Sequence, residues 1–292
     1  MTAVHEPQGI EIRARDVTFD LSDTPLHWIP DQPVASNTLS ALHIMVPEGE
    51  RWFCEVFAEA LPYVKDEKLA HEMRGFIGQE AMHAEVHDQA VGEFLEAHGI
   101  NTGPYLRHAE YLFRKVLAPR QTRSARVRQN DLVQRLWLIA AIEHYTAVLG
   151  DFALNATWTE DNADPTMTDV LRWHGAEEME HRSVAHDVAN YFSTSYFQRS
   201  RAMVLAVMGL LLLVQRGAFL ILREDPTIHY SYTQIWLEYF RAAHRGLLPK
   251  LRSLVTSTLG YFRPSFHPDE IGSTAQAVAY LASSPGARSA AL

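Results

Sequence analysis

Apolar residues recur at three- and four-residue spacing along most of the chain, and no convincing run alternates at period two. The pattern therefore predicts an all-α fold. Helices are expected over 47–61, 66–98, 104–117, 124–157, 165–192, 198–222 and 232–259. Pro47 and Pro165 suit first helical turns, and Gly99 suits a helix end. Residues 1–40 carry Pro7, Pro25, Pro30 and Pro33 and are expected to form an extended arm lying on the body. Residues 41–265 would be one helical domain, with 198–259 as accessory helices and 266–292 as a tail mobile at its end. The four helices 47–61, 66–98, 124–157 and 165–192 fit an antiparallel bundle, with the basic stretch "APRQTRSARVRQN" in a long connection between the second and third. That is a ferritin-like arrangement with additional C-terminal helices.

Several ionisable residues interrupt the apolar stripes, where a solvated charge would not sit. On the first bundle helix the stripe is Val46, Phe53, Cys54, Phe57, Ala60 and Leu61, and Glu50 falls inside it. Glu48, Glu55 and Glu59 share the polar face. On the second, Glu80, His83 and His87 fill the middle of Met73, Phe76, Ile77, Val91 and Phe94. On the third, Glu143 lies among Leu132, Leu136, Ile139, Ala140 and Ala147, with Gly150 further along. On the fourth, His174, Glu178 and His181 occupy the centre of Val170, Leu171, Ala185, Val188 and Phe192. Glu177 and Glu180 fall to the sides and are expected to be solvated or to stand behind the inward groups.

Four unpaired buried carboxylates would cost more than a marginally stable fold can absorb, whereas two divalent ions would neutralise them. Glu50 and Glu143 supply single carboxylates, and Glu80/His83 and Glu178/His181 supply two Glu-x-x-His pairs, the di-iron bundle pattern. His174 adds a nitrogen donor. With 21 Glu and 15 His in 292 residues, about one such pair arises by chance, so position on the stripe carries the argument. The alternative is a set of buried polar networks satisfied by Arg, Tyr and water. Carboxylates with imidazoles and no thiolate suit iron first, then manganese or a mixed manganese–iron pair. His87 could be a relay or exchangeable ligand behind the site, or a hydrogen-bonded core histidine. His144 and His186 lie off the stripes and read as ordinary. Tyr145, Tyr191 and Cys54 read as core.

Apolar content of 47% and charged content of 21% describe a globular protein, and a net charge of −9 argues against general nucleic-acid binding. The one cysteine permits no intramolecular disulfide, and the N-terminus shows no apolar signal-peptide core, so a cytoplasmic location is expected.

The stretches "LSALHIMVPEGERWF", "FIGQEAMHAEVH", "AIEHYTA" and "HGAEEMEHRSVAHDV" resemble the bacterial family labelled predicted metal-dependent hydrolases, over roughly 35–265, and "YFRPSFHP" looks like a further family feature. The spacing His174-x3-Glu178-x2-His181 is similar to that of p-aminobenzoate N-oxygenase-type ferritin-like di-iron enzymes. The second resemblance implies an O2-activating di-iron centre with seven protein ligands, His174 being the third histidine. It does not carry over the arylamine substrate.

The expected activity is an oxidase or oxygenase acting on a small, apolar organic molecule with O2 and an electron donor. The alternative is a metal-dependent hydrolase of an ester or phosphate, and a third reading is iron binding or storage. The apolar run "AMVLAVMGLLLLVQRGAFLIL" is interrupted by Arg216, so it reads as a core-covering helix or a dimer or lipid-facing surface. Arg241, Arg245, Lys250 and Arg252 beside Trp236, Tyr239, Phe240 and Leu247 would suit a lipid or acyl-carrier surface, or simply a solvated face.

Overall fold

A computed structural model describes residues 10–290, and among them every regular element is helical. The bundle comprises α2 (Pro47–Ala60), α3 (Glu67–Ala90, continued by a wider π turn over Val91–Glu96), α5 (Ala125–Asn155) and α6 (Pro165–His181). α2 packs on α3 and α5 on α6, while α2 also meets α5 and α3 meets α6, so the four close into a ring. Asp66, Ser124 and Asp164 cap α3, α5 and α6 by accepting from Leu69, Val127 and Met167 backbone N–H groups. α5 and α6 approach most closely at two glycines: a Cβ at Gly150 would lie 2.5 Å from the Gly175 carbonyl oxygen.

The irregular arm ends at residue 32 rather than 40. Pro33 begins α1 (Pro33–Met45), occupying a first-turn position where no N–H is needed. Its polar residues are buried as well as its apolar ones. Ser36 accepts from Ile29 N–H, Trp28 Nε1 donates to Ser40, and Asn37 Nδ2 donates to Asp225 Oδ2 at 2.8 Å. A helix covered on all sides shows no stripe, which is why the sequence pattern missed it. Within the arm, Ile12, Val17, Phe19, Leu21, Trp28 and Ile29 are buried against the body. Residues 1–9 of the expected arm and 291–292 of the expected tail lie outside the described residues.

Two expected helices are each divided. The 165–192 segment breaks at Arg182 and Ser183 into α6 and α7 (Val184–Phe192). Arg182 Nη1 donates to Met179 O at 2.6 Å and to Thr274 Oγ1, satisfying a carbonyl at the break. The 232–259 segment divides into α9 (Tyr232–Arg245) and α10 (Leu251–Tyr261). Gly246 ends α9 at φ 86°, and its neighbour Leu247 accepts from Trp158 Nε1 at 3.0 Å. The other helices are α4 (Gly103–Tyr111), α8 (Tyr196–Glu224), α11 (Thr274–Leu281) and α12 (Pro285–Ser289).

Of the expected tail, the described residues from 274 on include α11 and α12, which pack on α6. Tyr280 OH donates to Asp169 Oδ1 at 2.7 Å, and Gly286 N–H donates to Asp169 Oδ2 at 2.9 Å. α8 lies along α1 and α5. It is long and apolar enough to cross a membrane by length and composition, and Val204, Leu205, Met208, Leu211 and Leu212 on it are exposed.

Candidate metal centre

The ring of α2, α3, α5 and α6 turns all seven sequence-selected side chains into one space. Glu50 comes from the first turns of α2, Glu80 and His83 from α3, Glu143 from α5, and His174, Glu178 and His181 from α6. All are buried except His174, whose side chain is 13% exposed. Potential ligand atoms of Glu80, Glu143, Glu178 and His181 lie within 4.8 Å of one another. The same holds for Glu50, Glu80 and His83, and for His83, His174 and Glu178. Glu80 and Glu178 therefore belong to both halves of one cluster.

Each imidazole turns one nitrogen inward and has the other held. His181 Nε2 lies 3.1 Å from Glu80, 3.3 Å from Glu143 and 3.3 Å from Glu178, while its Nδ1 pairs with Gln79 Oε1 at 2.9 Å. His83 Nδ1 lies 3.4 Å from Glu178 Oε1, while its Nε2 pairs with Glu177 Oε2 at 3.1 Å. His174 Nε2 lies 2.9 Å from Glu178 Oε1, and its Nδ1 is 2.6 Å from His87 Nε2. Fixing the outer nitrogen sets tautomer and ring orientation, as metal-binding histidines require.

The groups doing the fixing were only partly visible in the sequence. Glu177 and Glu180 are not solvated. Arg15, from the arm, donates to Glu177 Oε1 at 2.6 Å and to both Glu180 oxygens at 2.8 and 2.9 Å. Glu180 also accepts from Gln79 Nε2 at 2.9 Å, and Glu177 from Trp173 Nε1 at 3.1 Å. One arginine thus braces the partners of both His83 and His181. His87 leads outward to His43, whose Nδ1 lies 2.8 Å away, and His43 Nε2 faces the Met167 sulfur at 3.3 Å. Nothing in the sequence pattern pointed to Arg15 or His43, because neither lies on a recognisable stripe. Tyr145 hydrogen-bonds Thr258, and Tyr191 accepts from Lys65 N–H, so both are engaged elsewhere. Cys54 is half-buried, and burial pushes its thiol up to about 12.

The electrostatics describe a cluster crowded with like charge. Burial, reinforced by the neighbouring carboxylates, raises Glu50 well above the carboxylate range and pushes Glu143 up to about 8. Glu178 moves the other way: burial opposes its charge, but His181, His174 and His83 outweigh it. Burial likewise opposes charge on His83 and His181, yet the surrounding carboxylates raise both. His174 is lowered, chiefly by burial, as are His87 and His43, the last to about 3.

Five buried atoms of the cluster make no hydrogen bond: Glu50 Oε2, both oxygens of Glu80, His83 Nδ1 and Glu143 Oε2. Orphaned polar atoms at this density are costly, and cations between them would satisfy them all. Among the described residues, the ion pairs made by Glu50, Glu80, Glu143 and Glu178 are all with histidines. Among the described residues no arginine pairs with these four carboxylates, and Arg15 reaches only Glu177 and Glu180 behind the histidines. The donor set of carboxylates and imidazoles fits divalent first-row ions.

No curated protein and no solved structure matches the chain significantly. A family model matches residues 13–272, a span that includes Arg15 and all seven inward groups, and the chain belongs to that family, described as predicted metal-dependent hydrolases.

Proposed function

We propose that the seven side chains hold two metal ions in a ferritin-like bundle. Glu50, His83 and His174 would serve one ion and Glu143 and His181 the other, with Glu80 and Glu178 shared between them. The orphaned carboxylate and imidazole atoms converging on one buried space carry this reading. The assignment of shared ligands rests on the overlapping groups of donor atoms.

The family description supports a metal-dependent hydrolase. Our own finer reading of the donor set, beside the hydrolysis that the family description supports, is an oxidase or oxygenase using an iron pair. Its support is the combination of four carboxylates, three imidazoles and near-complete burial, which suits iron and a small apolar substrate better than a solvated ester or phosphate. When bound, redox-active ions would supply electrons to dioxygen, whereas redox-inert ions would activate water for hydrolysis. The chain's own residues do the rest under either chemistry. Gln79, Glu177 and His87 orient the three imidazoles, the surrounding core keeps water out, and His174 marks the side nearest solvent. The His174–His87–His43 contacts form a buried chain that fixes the ring of His174 from behind and ends on the Met167 sulfur. An oxidative cycle would also need an external electron donor.

Metal content of protein purified without added metal, followed by anaerobic reduction and exposure to O2, separates the readings. The iron reading expects about two irons per chain and uptake of O2 by the reduced protein. Zinc at the site, with esterase or phosphatase activity indifferent to O2, would overturn it in favour of hydrolysis.

A further inference from the structure

A second group of ligand-type side chains stands outside the bundle centre. His186 and Asp187 lie in the first turn of α7, and His267 lies between α10 and α11. Ligand atoms of the three lie within 4.8 Å of one another, and none belongs to the seven-residue cluster. His267 Nε2 is 3.0 Å from Asp187 Oδ1, and His186 Nδ1 is 3.6 Å from the same oxygen. Donors bound tetrahedrally at about 2.0–2.1 Å from one ion stand roughly 3.3–3.4 Å apart, so the spacing brackets what a common ion needs.

The second, independent observation is His186. It is 6% exposed, and neither of its ring nitrogens has a hydrogen-bond partner. Trp137, Phe266 and His267 surround the ring edge-on. A buried imidazole left unsatisfied costs about 1–3 kcal/mol and calls for a partner at this place. His267 is meanwhile prepared for a ligand. Its Nδ1 is held by Asp269, whose Oδ2 lies 3.2 Å away and whose backbone nitrogen lies 3.4 Å away, and its Nε2 faces Asp187 Oδ1 at 3.0 Å. The side chains of Asp187 and His267 are 41% and 37% exposed, so water can complete the coordination.

We propose that His186, Asp187 and His267 bind a single divalent transition-metal ion, zinc being the natural probe, with Asp269 positioning His267. The ion would cross-link α7 to the segment after α10, joining the C-terminal helices to the bundle by ligands 80 residues apart in sequence. The site is independent of the dinuclear reading.

Zinc titration of metal-stripped protein tests it. His267→Gln, a change at a half-exposed position, is expected to weaken one zinc equivalent by more than 100-fold, since a ligand is lost and even an outer partner is worth about 10–100-fold. Asp269→Asn should weaken the same equivalent about 10–100-fold. Glu178→Ala should leave it intact while removing binding at the bundle centre. Cobalt substituted at the same equivalent should give a visible spectrum that His267→Gln abolishes. Zinc isotherms of His267→Gln and Asp187→Asn superimposable on the parent's would overturn the proposal. So would loss of the equivalent in Glu178→Ala alone.

Discussion

Replacing Arg15 with methionine isolates the role of the N-terminal arm. Arg15 makes three hydrogen bonds to Glu177 and Glu180, whose side chains are 0% and 2% exposed, and is itself 17% exposed. The variant keeps the aliphatic stem but strands two buried carboxylates. Removing one partner from a buried pair costs about 3–5 kcal/mol. The partial exposure of Arg15 lets water reach the vacated place, so the low end, about 3 kcal/mol, is expected. With a urea dependence of about 2–3 kcal/mol per molar, the unfolding midpoint should fall by roughly 1–1.5 M. Stability of about 5–15 kcal/mol leaves the variant folded in water. Because Glu177 holds His83 and Gln79, bonded to Glu180, holds His181, metal affinity should fall about 10–100-fold in the folded variant. Urea unfolding of the metal-free protein and metal titration of the folded protein read the two effects separately. Arg13→Met, two residues away and exposed, is the control and should change neither. Arg15→Met/Glu180→Gln should recover part of the lost stability by removing one stranded charge. A midpoint within error of the parent, or a lowered midpoint with unchanged metal affinity, would refute the bracing role.

Glu177→Gln should weaken metal binding about 10–100-fold, or about 1.4–2.7 kcal/mol, by loosening His83, measured by competition with a chelator. Gly150→Ala should cost about 1–3 kcal/mol in urea unfolding, because its methyl meets the Gly175 backbone, whereas Gly209→Ala, with open space around it, should be neutral or stabilising. Asp225 carries a pH dependence. Burial opposes its charge, but hydrogen bonds from His27, Thr227 and Asn37 prevail and hold its carboxyl below the ordinary value of 3.8. Its contribution is therefore present above that value and is lost as pH falls through the folded pKa. Asp225→Asn should be less stable than the parent at neutral pH, and the gap should close in acid, as followed by urea unfolding across the range.

The residues of the candidate centre were legible because long helices repeat. A ligand projecting from a helix interrupts an apolar stripe at the same three- and four-residue steps that define it, so Glu50, Glu143 and the Glu-x-x-His pairs could be picked out by position. What braces them obeys no such period. Arg15 sits in an irregular strand of chain, and its partners Glu177 and Glu180 looked like a water-facing edge because the arm that covers them is invisible to helical spacing. The breaks after His181 and Arg245 were hidden for a related reason: apolar residues continue through both, and the interruptions come from a carbonyl caught by Arg182 and from a left-handed glycine. α1 and the C-terminal helices were missed because their small and polar residues are buried by neighbours distant in sequence.

Gly150 and Gly175 set a mechanical asymmetry for whatever the bundle holds. Gly175 sits between His174 and Glu178, and Gly150 lies two turns along α5 from Glu143, so the backbones of α5 and α6 touch beside the donors. That wall of the site has no slack. α2 and α3 instead meet through side chains, among them Phe57 and Phe76, whose rings stack at 4.4 Å. The pair of glycines is then a fixed jaw, and discrimination by ionic radius would be decided across from it, by side chains of α2 and α3 such as Glu50 and Glu80.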